Sequence, residues 1–177
     1  MLPGMAFTNP FPRSALAALS LSAAGLVGIA LHEGYSDKAI TPVKGDVPTI
    51  GFGTTGGVKP GDTITPPKAL ERALSDVRKF EGALKQCVRV PLHQHEYDAY
   101  VSLAYNIGPG KDGVADGFCW LKRGGPSTLV RRLNAGDYEG ACRSILEWDK
   151  FGNPPKPLRG LTVRRQQEYQ QCMGGAA

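Results

Sequence analysis

Residues 32–55 read HEGYSDKAITPVKGDVPTIGFGTT, and the rest of the chain is interpreted from this stretch. Lys44-Gly45-Asp46 and the glycines at 51, 53, 56 and 57 are turn signals around the short β-prone piece Thr49-Ile50-Gly51-Phe52, so a small irregular sheet is expected here. Glu33 lies two residues past an apolar run that ends at Leu31. A carboxylic acid held against an apolar helix end is desolvated, which favours the proton-carrying form that a general acid needs. Asp46, in a Gly-flanked polar turn, is expected to stay ionised. Two carboxylates in contrasting surroundings suit cleavage of a glycosidic bond: one protonates the leaving oxygen, the other directs water or attacks the sugar. Thr49 offers a hydroxyl to hold that water.

Downstream, the pattern turns helical. Thr65-Pro66-Pro67 reads as a cap with proline in the first turn, and Leu70, Leu74, Val77, Phe80 and Leu84 recur at helical spacing. Tyr97, Tyr100, Val101, Ala104 and Tyr105 mark a second apolar helix that stops near Gly108-Pro109-Gly110. Ser127 opens a third, ended by Asn134-Ala135-Gly136, and Asp137 caps a fourth carrying Cys142, Ile145, Leu146 and Trp148. A proline-rich loop, Gly152 to Pro157, leads to a last helix that Thr162 is expected to cap. The expectation is an α+β protein, mostly helical with a small β lobe near its front, and a ligand cleft between the lobes.

Upstream, Ser14 to Leu31 holds 18 uncharged residues, SALAALSLSAAGLVGIAL. As one helix they would span roughly 27 Å, just short of the ~30 Å hydrocarbon core of a bilayer. Seven Leu, Ile and Val residues are diluted by Ala, Ser and Gly, so insertion is worth only about 2 to 4 kcal/mol. Three readings fit: a cleaved signal peptide, a buried core helix, and a weak uncleaved signal anchor. Arg13 on one side and Glu33 and Asp37 on the other favour the anchor with a cytoplasmic N-terminus. Residues 1–13 then form a cytoplasmic stub, 14–31 the anchor and 32–177 the remaining domain.

The 177 residues are 41% apolar and 21% charged, values that exclude a disordered tail or a coiled coil and fit one domain with a short appendage. Gly (23) and Pro (14) make about one residue in five, against a usual ~12%, so loops and turns are numerous. A net charge of +5 favours an anionic surface such as nucleic acid, phospholipid or cell wall. Arg131-Arg132 and Arg164-Arg165 lack aromatic interleaving, and no nucleic-acid partner is expected. Cys87, Cys119, Cys142 and Cys172 contain no CxxC pair, which leaves three possible disulfide pairings. Gly51 to Gly56 matches GxGxxG, but no βαβ unit surrounds it. His93-x-His95-Glu96 supplies too few neighbouring ligands for a zinc site. No metal or cofactor is expected.

The order of motifs then becomes telling. Glu33-Gly34, Asp46, Thr49-Ile50-Gly51-x-Gly53, Tyr105-Asn106-Ile107-Gly108, Ser127-Thr128-Leu129, Leu133-Asn134-Ala135-Gly136-Asp137 and Gly160-Leu161-x-x-Arg164-Arg165 together resemble the phage-type lysozymes of glycoside hydrolase family 24, from Glu33 to Cys172. The resemblance implies a monomeric muramidase that hydrolyses β-1,4 bonds between N-acetylmuramic acid and N-acetylglucosamine in peptidoglycan and lyses the host cell. Glu33 is the implied general acid, Thr49 the implied water-positioning threonine and Asp46 the implied second carboxylate. Where the family places that carboxylate, this chain has Pro42 and Val43; Asp46 is the nearest acid before Thr49, and Asp37 follows Glu33 too soon. The stretch from Phe118 to Ser127 looks longer than the family's connection. Arg164 and Arg165 are implied to serve salt bridges of the fold or to meet cell-wall carboxylates. The resemblance further implies a disulfide between Cys142 and Cys172, and with it one between Cys87 and Cys119. Some relatives carry a releasable N-terminal anchor, which implies export, tethering to the host inner membrane through residues 14–31, and release into the periplasm. The alternative from another class is a non-catalytic, membrane-tethered wall-binding module.

Overall fold

The structure, a computed structural model, describes residues 12–41, 47–152 and 154–175. Pro42, Val43 and Asp46 lie outside the described residues. At the centre is α3 (Gln94–Ile107), whose residues from Glu96 to Ala104 are all buried. A helix buried on every side must be enclosed by others, and α2 (Pro66–Cys87), α6 (Arg159–Cys172) and α1 (Ala23–Glu33) pack around it. Two short helices follow it: α4 (Thr128–Asn134), whose Ser127 cap accepts from Val130 N, and α5 (Tyr138–Ser144), whose Asp137 cap accepts from Gly140 N. These two caps sit where the sequence signals put them. Cys87 is bonded to Cys119 and Cys142 to Cys172, with Cα atoms 5.8 and 5.6 Å apart.

The β lobe is an antiparallel pair, β1 (Ser36–Ile40) and β2 (Thr49–Gly51). It joins the helical lobe through the C-terminus of α1 on one side and the start of α2 on the other, so the cleft has Glu33 at its hinge. A second hairpin, β3 (Lys150–Phe151) with β4 (Lys156–Pro157), occupies the proline-rich segment expected to be a plain loop.

Several local expectations are corrected. Along α2 the expected Val77 and Leu84 are buried, but over the first two turns Ala69 and Ala73 are buried while Leu70 and Leu74 are exposed; the small alanines let the β lobe approach closely, so there the core stripe lies one residue off the leucines. The last helix begins at Arg159, and Thr162, inside its first turn, donates to Asp149 Oδ2 at 3.0 Å instead of capping. His93 and His95 stack on each other, and His95 Nδ1 lies 3.1 Å from Cys172 O. Among the described residues no cluster of three or more His, Cys, Asp or Glu side chains could hold a metal.

The expected single rod over 14–31 is divided in this folded state. Ser14 pairs with Leu92 through two backbone hydrogen bonds, Leu16–Ala18 form a 3₁₀ turn, and α1 starts only at Ala23, capped by Ser22. Three carboxylates, each nine-tenths or more buried, hold this strap. Glu96 takes a two-pronged pair from Arg13 at 3.0 and 2.7 Å, Glu81 accepts from Leu21 N at 2.8 Å, and Asp98 accepts from Ser22 N and Oγ at 3.0 and 2.5 Å. Polar anchoring of this kind breaks an apolar helix, because each backbone N–H given to a carboxylate is withheld from the helical ladder. Leu19 and Ile29 are buried, each worth ~1.5–3 kcal/mol. No described helix is long and apolar enough to cross a membrane.

Candidate active site

Glu33 is the last residue of α1, followed by Gly34 with φ +70°, which ends the helix and turns the chain into β1. Its side chain is one-fifth exposed. Oε1 accepts from Arg164 Nη1 at 2.8 Å. On the other side, a methyl group built at Gly53 would lie 2.9 Å from Oε2. One oxygen is therefore tied to the helical lobe, while the other lies against the backbone of the β lobe. Two hollows of about 400 and 370 Å³ share Glu33 and Gly53 as lining. The first includes Thr49, Tyr35 and Ile40; the second includes Asp76, Tyr105 and Asn106. Together they make a groove that passes over Glu33.

Thr49, at the start of β2, lines the same hollow as Glu33, and its hydroxyl donates to Val47 O at 3.4 Å. Asp46 lies outside the described residues. The expectation set Glu33 against an apolar helix end; a guanidinium also stands beside it, because α6 brings Arg164 there.

Residues to which the sequence reading gave no role in catalysis frame the groove, and Arg164 and Arg165 form the salt bridges implied for them. Tyr105 donates to Phe52 O at 2.8 Å and meets Phe80 edge-on with centroids 5.2 Å apart. Burial is the main cause that raises the Tyr105 phenol above its ordinary range, and the charges of Glu33 and Asp76 add to it, so it remains a donor that ties the β lobe to α3. Buried Thr54 donates to Asp76 Oδ2 at 2.8 Å. Behind Arg164 sits Glu168, 1% exposed, whose Oε1 accepts from Ser102 Oγ at 2.7 Å and Arg164 Nε at 3.1 Å. Arg165 reaches Asn106 Oδ1 at 2.9 Å; its Nε lies 2.9 Å from Glu168 Oε2, an ion contact whose angle falls outside hydrogen-bond geometry. Burial pushes the Arg165 guanidinium down to about 10, against the partly restoring field of Glu168. An Arg–x–x–x–Glu spacing, i to i+4 on one helix face, is the signal that could have revealed the Arg164–Glu168 pair.

The sequence profile described as phage lysozyme matches residues 30–168. The chain belongs to the phage lysozyme family. It is accordingly a glycoside hydrolase, a muramidase of the endolysin type with the lysozyme-like α+β fold. It is 35% identical to a protein named SAR-endolysin from Pseudomonas phage phiKMV, over 89% of each chain. It is 37% identical to the endolysin of Salmonella phage P22, over 79% of this chain and 90% of that one. The solved endolysin of the Escherichia coli O157:H7 phage FAHEc1 superposes with a TM-score of 0.72 at 32% identity, covering 87% of this lysozyme and 93% of that chain.

Proposed function

We propose that this muramidase cleaves the glycan strand with Glu33 as general acid. Glu33 gives its proton from Oε2 to the leaving glycosidic oxygen, while Thr49 and the second carboxylate, for which Asp46 is the best candidate, direct water to the anomeric carbon. The observation that carries this reading is the asymmetry of Glu33: Oε1 is occupied by Arg164, while Oε2 borders the groove beside Gly53. No cofactor enters the scheme. Replacing Glu33 by Gln is expected to lower the release of reducing ends from purified peptidoglycan by about 10²–10⁴-fold, with binding to the wall retained. Unchanged hydrolysis would refute the assignment and place the proton donor elsewhere in the groove. Inversion at the anomeric carbon is expected, as in enzymes whose two carboxyl groups stand ~6.5–9.5 Å apart; the first-formed anomer, read by NMR, decides it.

We further infer that residues 14–31 serve as a weak anchor in the host inner membrane before the enzyme folds in the periplasm as a monomer, with residues 1–13 on the cytoplasmic side and 32–177 as the catalytic domain. Two observations support the reading: the uncharged run itself and the SAR-endolysin names of relatives. Gly28 has open space around it, so Gly28→Leu should strengthen insertion without a clash in the folded enzyme. Fractionation should find more of this variant in the membrane. An unchanged soluble fraction would count against the anchor.

A further inference from the structure

We propose that Glu168 is a positioning residue for the hydrolytic reaction: it orients Arg164 and balances its charge so that Glu33 can carry a proton in the groove. The inference rests on the reading of Glu33 as general acid and adds a second carboxylate that never touches the substrate.

The geometry is a relay of three side chains. Arg164 presents one edge, Nε, to Glu168 Oε1 at 3.1 Å, another, Nη1, to Glu33 Oε1 at 2.8 Å, and its Nη2 to Ser102 O at 3.4 Å. A guanidinium is planar and rigid, so contacts at both edges leave it no rotational freedom. Fixing Arg164 fixes the plane of the Glu33 carboxyl, and with it the place of Oε2 against Gly53. Glu168 is itself held by Ser102 on α3. Nothing about stability requires this arrangement, because apolar side chains of similar volume commonly replace buried ion clusters without loss.

The charges make a second argument. With Glu33 ionised, the cluster holds two arginines and two carboxylates and is balanced. With Glu33 protonated it carries one excess positive charge, which Glu168 confines to a single guanidinium's worth. If Glu168 were neutral, the positive field of Arg164 and Arg165 at Glu33 would be less balanced and would disfavour its protonated form. The other ionisable groups near the cluster are His32 on α1, which burial and Arg164 together push toward the neutral form, Tyr105 on α3, Asp149 ahead of the hairpin, and Asp76 and Lys79 of α2, which line one hollow with Glu33. Asp149 adds a negative charge whose field reaches Arg165, but among the described residues Glu33 and Glu168 alone are bonded to Arg164 as carboxylates.

The test is the pH profile of the hydrolysis rate on purified peptidoglycan for the full chain and three variants. In Glu168→Gln the falling alkaline limb should move down by about one pH unit, with KM little changed. Arg165→Gln should move the limb upward. Arg165→Gln combined with Glu168→Gln, which removes one charge of each sign, should return it close to its original place. A limb that stays put in Glu168→Gln while the rate falls equally at every pH would overturn the proposal and leave Glu168 a packing residue. If Glu168→Gln does not fold, the other two variants decide: a stationary limb in Arg165→Gln overturns the proposal equally. Glu33→Gln serves as the separate check, since full activity there would sink the general-acid reading whatever the Glu168 variants do.

Discussion

Replacing Gly53 by Ala should disable the enzyme without unfolding it. The added methyl would sit 2.9 Å from Glu33 Oε2 and 3.4 Å from both Cγ and Cδ. Ordinary contact between a methyl carbon and a carboxylate oxygen starts about half an ångström further out, roughly 3.5 Å. Because Arg164 holds Oε1, the carboxyl cannot retreat as a unit and must twist, which carries Oε2 away from its place. A displacement of about 1 Å at a reacting group costs on the order of 10²-fold in rate, so a loss of roughly 10- to 100-fold is expected. The backbone adds its own cost: at φ +82° an L-residue loses about 1–2 kcal/mol relative to glycine. Gly57→Ala separates the two effects, since Gly57 also has positive φ, +69°, but open space where its methyl would go. Both variants should melt earlier by a similar amount, and only Gly53→Ala should lose turnover per folded molecule. The assay is reducing-end release from purified peptidoglycan, normalised to the folded fraction from circular dichroism. Equal specific activities for the two variants would refute the claim that the space between Gly53 and Glu33 is set by the needs of the acid.

Arg13→Met takes the cationic partner from the buried carboxylate of Glu96, leaving it the His93 N–H, and should cost about 3 kcal/mol, a fall in Tm on the order of 10 °C. The exposed Arg143–Glu139 pair should matter by less than ~1 kcal/mol when broken, so similar melting shifts in the two variants would contradict the role given to the strap. The two disulfides close loops of nearly equal length, 32 and 30 residues apart. Each paired Cys→Ser replacement should therefore lower stability in urea by a similar ~3–4 kcal/mol, and a several-fold inequality would argue against a loop-entropy origin. His32 and His93 are both held below their ordinary range, chiefly by burial. The unfolded chain thus binds more protons than the native one, and stability should decline as pH falls below about 6.5. His32→Asn should flatten the dependence of Tm on pH there, and an unaltered slope would show that the native imidazole does not resist protonation.

Much of this architecture could be read from the sequence, because the decisive elements are punctuated by capping chemistry. Ser127 and Asp137 have side-chain oxygens that accept from the backbone three residues on, and both helices begin where these residues predict. Glu33 was legible for a similar reason: an apolar run ending in Glu-Gly has few ways to fold other than a helix whose last side chain faces a turn. The burial of α2 was misread because leucine spacing weighs hydrophobicity but not closeness of approach, which favoured Ala69 and Ala73. The strap escaped prediction because its partners, Glu81, Glu96 and Asp98, are 60 to 83 residues away and look like ordinary surface charges on amphipathic helices. Part of the Glu168 environment was hidden in the same way, since Ser102 comes beside it only after α6 docks on α3.

The position of Glu33 on the same helix that the strap delivers bears on how such a lytic enzyme can be re-engineered. Trimming the first thirty or so residues to ease recombinant production would discard most of the helix that carries Glu33, the proposed proton donor, along with the buried side chains of Leu19 and Ile29. Cargo or targeting peptides intended for the amino end therefore need to be joined ahead of Arg13, leaving the clasp with Glu96 intact.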